Sequence, residues 1–369
     1  MQEVLTQARR DFGAAVEPVT LHRAVPPLLA AVWAVLRETL VVGAVPRATK
    51  EAVAVGVSRA NQCPYCVDAH SIMLRAIGDP VPTAAASNPT SNPTSNSTSA
   101  PQLATLDATA QRAWGADFGN SSGRPDSASR FHDALAAASD SDRAELCATA
   151  FAFHYINRVV AVFLGDSPIP VKVPILRGLS WWLSARFFAR AIRRAHPPGE
   201  SLGFLSNADS PRSDLPEIAW AGAAPHAARA ITALITTLDE AAAMLLTESA
   251  RALVQEQLAS WHGESAPLAL SWLDQATDSL PADARSAARI ALLAARAPYR
   301  LHADDVDRFR QACPPEFRES YSGQATAPAH ADVAADAALV SVVGWGALAA
   351  TRRVAEWAFP TRGTAPSSR

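Results

Sequence analysis

The chain has 369 residues, 49% of them hydrophobic and 18% charged, with a formal net charge of -2. This is the composition of a soluble globular protein, without the overall cationic excess that nucleic acid or an anionic membrane would call for. The length exceeds what one hydrophobic core usually organises and predicts two domains or a duplicated one, while only four cysteines rule out a disulfide framework.

From the N-terminus, MQEVLTQARRDFG is polar and reads as no export signal. The longest uncharged apolar run, near Ala337 to Ala350, is too short to span a bilayer, so a cytoplasmic protein without a membrane span is expected. Apolar residues then recur at spacings of three and four, as in PPLLAAVWAVLRETLVV, and strand-like alternation is scarce, which predicts an all-α fold. Residues 1–166 form the first unit, interrupted at 79–102 by a Ser/Asn/Pro/Thr tract with the composition of a disordered insertion. A connector over 167–213 carries the basic aromatic segment LRGLSWWLSARFFARAIRRAH. Such a segment can lie on a membrane surface. The favoured expectation is a helix that bridges the two halves, burying its aromatics between them with its arginines in water. Residues 214–360 read as a second helical repeat, echoing HYINRVVAVF with AATRRVAEWAF, and 361–369 as a flexible tail. Under that repeat Trp261-His262-Gly263 falls where the first half has its cysteine pair, so the second half is expected to be chemically silent.

The chemistry concentrates in EAVAVGVSRANQCPYCVDAH, residues 51–70. Asn61 or Cys63 can cap a helix with Pro64 in its first turn, which places the cysteines at the helix start. At about 100° per residue, Cys63, Cys66 and His70 share one face. The unpaired first-turn amides favour thiolate over thiol, and an imidazole nearby can take the thiol proton, so a lowered cysteine pKa is expected. A haem attachment motif is excluded because Val67, not His, follows the second cysteine. A structural zinc site would need a second ligand pair that neither Cys147 nor Cys313 supplies. CPYC is also the glutaredoxin tetrapeptide, but there it follows a strand and here helical patterning lies on both sides.

Glu51, Cys63, Cys66 and His70, in the pattern E-x11-C-x2-C-x3-H, resemble the alkylhydroperoxidase D-like branch of the carboxymuconolactone decarboxylase superfamily. The resemblance covers residues 20–166 well and the remainder faintly. It implies a multi-helical alkylhydroperoxidase D-like bundle, oligomeric assembly as a homo-oligomer, and thiol peroxidase or disulfide reductase activity with no bound cofactor. It also implies the roles: Cys66 attacks a hydroperoxide, Cys63 resolves the sulfenic acid as a disulfide, and His70 with Glu51 relays protons. Turnover then needs an external dithiol reductant, such as a dihydrolipoyl group on a carrier protein. Some members carry a second histidine between the cysteines, where this chain has Pro64 and Tyr65. A non-peroxidatic redox sensor is the alternative reading; the decarboxylase branch, which generally lacks the cysteine pair, is the weaker one.

Overall fold

A computed structural model describes residues 1–78, 108–128, 132, 135, 138–168, 174–205, 215–322 and 330–359. The tract at 79–102 and the tail at 361–369 lie outside the described residues. Among the described residues all regular structure is helical, as expected from the patterning. The longer helices are α1 (Gln2–Phe12), α2 (Pro26–Leu36), α3 (Arg47–Ala60), α4 (Pro64–Ile77), α5 (Ala108–Ser121), α6 (Asp140–Phe163) and α7 (Pro174–Ile192). In the second half come α8 (Pro225–Leu245), α9 (Glu248–Ala259), α10 (Ala282–Arg296), α11 (Ala303–Ala312) and α12 (His330–Ala358).

Helix α2 is apolar on almost every side because it is enclosed on almost every side, from Leu28 to Leu36. Pro26 and Pro27 start it, where their missing N–H groups cost nothing. It continues into a wide π-helical turn over Arg37–Val41. Arg37, wholly buried there, donates to Asp11 of α1 at 2.7 Å, to Glu38 at 2.6 Å and to Glu200 at 3.0 Å. The π turn thereby ties the first helix to the segment that follows α7.

Helices α3 and α5 cross at very short range, and glycine permits it. A Cβ on Gly119 would lie 2.3 Å from the Val53 carbonyl oxygen, and one on Gly56 would lie 2.1 Å from that of Ala116. Gly119→Val should therefore force the helices apart and destabilise the protein by about 1–3 kcal/mol. A calorimetric melting temperature equal to the parent's would show that the crossing can relax.

The halves share one core: α8 packs on α2, and α12 packs on α6. Helices α6 and α12 each contain a window apolar and long enough to cross a membrane, yet 83% of each window is buried inside the fold. They are the central helices of the bundle.

The connector corrects the expectation for its aromatics. Among the described residues helix α7 packs mainly against α4, and also α1, of the first half. Trp181, Ala185, Phe188 and Ile192, spaced by four, three and four, form its packed stripe against Ile72, Met73 and Ala76. The second member of each aromatic doublet falls about 100° from the first. Trp182 and Phe187 therefore stay in water with Leu183, at 56%, 66% and 52% exposure.

Candidate active site

The turn between α3 and α4 is made by Asn61 and Gln62, with Gln62 in the left-handed region at φ 53°. That conformation is costly for a residue with a Cβ, and it reverses the chain sharply enough to lay α4 back along α3. Cys63 becomes the cap of α4 and Pro64 its first residue, as the sequence predicts. The antiparallel arrangement brings Glu51 opposite His70: Nδ1 of His70 lies 2.6 Å from Oε2 of Glu51. With the ring N–H donating to the carboxylate, the basic nitrogen of neutral His70 is Nε2.

Glu51 is fully buried, and burial is the strongest influence on it, opposing ionisation. Arg47 and then His70 outweigh that cost and hold the carboxyl below the ordinary carboxylate range. Arg47 reaches Oε1 of Glu51 through Nε at 2.7 Å and Nη2 at 2.6 Å. A chain of three groups, Arg47, Glu51 and His70, thus runs from α3 to α4. Phe153 of α6 meets the His70 ring edge-on at 4.6 Å between centroids and limits its rotation.

His70 and Cys66 open onto a cavity of about 270 Å³. Its walls are mainly apolar, including Trp33, Leu36, Leu40, Met73, Phe153 and Phe188, with Glu17 and Ser184 as further polar lining. Tyr65 also lines it and donates to Oε2 of Glu17 at 2.6 Å, which uses up a hydroxyl that would otherwise be exposed to an apolar guest. Cys66 and His70, four residues apart on one helix, face the same space.

Cys63 departs from the shared face. As the cap it has extended backbone angles of -100° and 90°, so helical projection does not reach it, and its side chain lies in the core rather than on the cavity wall. The expected thiol acidity falls on this residue alone. The Cys66 thiol, turned toward the Cys63 sulfur, lowers the Cys63 pKa against the opposing effect of burial, and the Cys66 backbone N–H adds to it. Burial pushes the Cys66 thiol well up, and the neighbouring Cys63 pushes it further. The two sulfurs are thus pushed in opposite directions, Cys63 toward and Cys66 away from thiolate, while Cys66 is the sulfur that meets the cavity.

A family model described as carboxymuconolactone decarboxylase family matches residues 26–81, which hold all four of these side chains. The chain is also 36% identical over 355 residues to alkyl hydroperoxide reductase Rv2159c of Mycobacterium tuberculosis, spanning 96% of this chain and 90% of that protein. This protein belongs to the alkylhydroperoxidase D-like and carboxymuconolactone decarboxylase superfamily. No solved structure matches it. The likeness to the mycobacterial relative runs through both halves, further than the residues that carry the motif.

Within this superfamily member, Arg47 is the site residue that the motif does not contain. It was accessible in principle, since RATKE places it four residues before Glu51 on a helix, the spacing at which an arginine and a glutamate meet. Glu17 and Phe153 come from distant segments and gave no such signal. Among the described residues no group of three or more His, Cys, Asp or Glu side chains could hold a metal ion. The other two cysteines are buried small side chains: Cys147 is fully enclosed with its thiol pushed up by burial, and Cys313 lies in the second half beyond α11. Cys313→Ser should keep full peroxide reactivity, measured as thiol loss per chain. Loss of turnover with an unchanged circular dichroism spectrum would place Cys313 in the cycle.

Proposed function

We propose that this protein is a thiol-dependent peroxidase that reduces organic hydroperoxides through a Cys63–Cys66 dithiol and disulfide cycle. The observation that carries the reading is the apolar cavity with Cys66 and His70 on its wall and the Glu51–Arg47 pair behind the imidazole. An alkyl or aryl hydroperoxide suits such walls, with its O–O group toward the sulfur. The name of the mycobacterial relative, alkyl hydroperoxide reductase, points the same way.

In the first step the Cys66 proton passes to Nε2 of His70, and the Cys66 thiolate attacks one peroxide oxygen. The O–O bond breaks, Cys66 becomes a sulfenic acid, and the departing alkoxide takes the proton from His70 to leave as an alcohol. Glu51, held ionised by Arg47, stabilises the imidazolium that exists between those transfers. The Cys63 thiolate then attacks the sulfenic sulfur, forming the disulfide and releasing water once a proton is supplied. An external dithiol, such as a dihydrolipoyl group on a partner protein, restores both thiols. Such a cycle belongs in a reducing compartment, which is why we place it in the cytoplasm.

One observation favours the alternative of a redox sensor: Cys63 and Cys66 are only 1% and 3% exposed, so a protein reductant must wait for the site to open. The reduced protein mixed with excess organic hydroperoxide and a dithiol decides between the two. Continuous peroxide consumption is expected. Loss of both thiols once per chain, without turnover under any dithiol, would favour the sensor and set the peroxidase aside.

A further inference from the structure

We propose that the outer face of α7 is a docking surface for an anionic phospholipid bilayer. Along α7 the exposed positions Trp182, Leu183, Arg186, Phe187 and Arg190 fall within an arc of roughly 140° at 3.6 residues per turn, and Arg194 is exposed just past the helix end. The opposite side, with Ala185, Phe188 and Ile192, is the one packed on the protein. Trp182, Leu183 and Phe187 are three of the most exposed large apolar side chains among the described residues, gathered in less than two turns. Exposed apolar residues scattered singly need no explanation; a cluster does.

The charge around this cluster departs from the rest of the chain. From Ser180 to Gly199 there are four arginines and no Lys, Asp or Glu, in a protein whose net charge is -2. Aromatic side chains interleaved with arginines on one helix face match the boundary between acyl chains and anionic headgroups, where Trp and Phe insert and guanidinium groups meet phosphate. A second copy of the chain is a poorer occupant. In a two-fold contact this face would meet itself, bringing arginines against arginines with no carboxylate between them. Arg186 already lies over the Trp182 ring, 5.7 Å from its centroid, an arrangement that keeps the charge at the level of the aromatic rather than withdrawn from it.

The placement has a functional consequence. On its flank α7 also contributes Ser184 and Phe188 to the wall of the cavity that holds Cys66 and His70. A bilayer under α7 would thus lie one helix away from the site, and its oxidised acyl chains would be the hydroperoxide source. That consequence rests on the peroxidase reading; the docking itself does not.

The full-length protein should be sedimented with vesicles of phosphatidylcholine alone or of equimolar phosphatidylcholine and phosphatidylglycerol. Binding to the anionic vesicles is expected, with release in about 0.5 M salt. Charge reversal in Arg186→Glu/Arg190→Glu should weaken it by about tenfold or more. Trp182→Ser/Phe187→Ser should weaken it as well while keeping the parent's melting temperature, since both side chains are exposed. Both double variants should keep the parent's rate with a water-soluble hydroperoxide and lose rate with a phospholipid hydroperoxide embedded in anionic vesicles. No binding to anionic vesicles at low salt, or equal binding to neutral ones, would overturn the proposal. So would self-association of the parent that Trp182→Ser/Phe187→Ser abolishes, which would assign the face to a second copy. Anionic-vesicle binding without any peroxide consumption would leave the docking surface standing and sink the peroxidase reading instead.

Discussion

Cys66→Ser is expected to lower the rate of reaction with an organic hydroperoxide by at least about a thousandfold, the loss that follows removal of a nucleophile. Cys63→Ser should instead react once and stop at a sulfenic acid on Cys66, which a dimedone-type probe labels and mass spectrometry locates. The two sulfurs carry opposed signals. The cavity reaches Cys66, whereas the neighbouring groups favour thiolate at Cys63. A thiolate that cannot touch the substrate cannot attack it, so position outweighs resting charge. The Cys63 thiolate is then poised for the second step, displacement at the sulfenic sulfur. In Cys63→Ser the Cys66 thiol has lost the neighbouring thiolate that pushes its pKa up, so its own ionisation should become easier than in the parent. A sulfenic acid trapped on Cys63 in the Cys66→Ser protein would reverse the assignment.

The sequence carried the local part of this site and little of the rest. The cap at Cys63, the start at Pro64 and the helical register from Cys66 to His70 follow from nearest-neighbour chemistry, and the structure has them where the residues ask for them. The pairing of Glu51 with His70 needed the turn at Asn61 and Gln62, whose geometry no side-chain rule predicts for a glutamine, and it became legible only through the family pattern. The cavity was out of reach because its walls come from α1, α2, α4, α6 and α7 together, and that Phe12 and Phe188 line one wall is not written in either segment alone. The outward aromatics of α7 show the limit of amphipathic reasoning. WW and FF doublets leave the choice of buried ring to the neighbouring surface, and only packing against Ile72 and Met73 selects Trp181 and Phe188.

Glu51→Gln should slow peroxide reduction by about 10²–10³ and also cost roughly 3 kcal/mol of stability. The two effects have one origin. Gln keeps the shape and can still accept the Nδ1–H of His70, but it removes the negative charge that Arg47 and His70 both face across 2.6–2.7 Å. Without that charge the imidazolium formed during proton transfer is no longer favoured, and the largely buried Arg47 loses its counter-ion. The sign of the pH dependence separates this electrostatic role from a packing role. The folded pKa of Glu51 lies below its unfolded value of about 4.3, so its contribution to stability is complete above that value and disappears as pH falls through the lower folded one. The parent should therefore exceed the variant in denaturant midpoint at neutral pH, and the gap should narrow in acid. A gap of the same size from neutral pH down through the carboxylate range would mean that Gln disturbs packing rather than charge, and the relay from Arg47 through Glu51 to His70 would have to be abandoned.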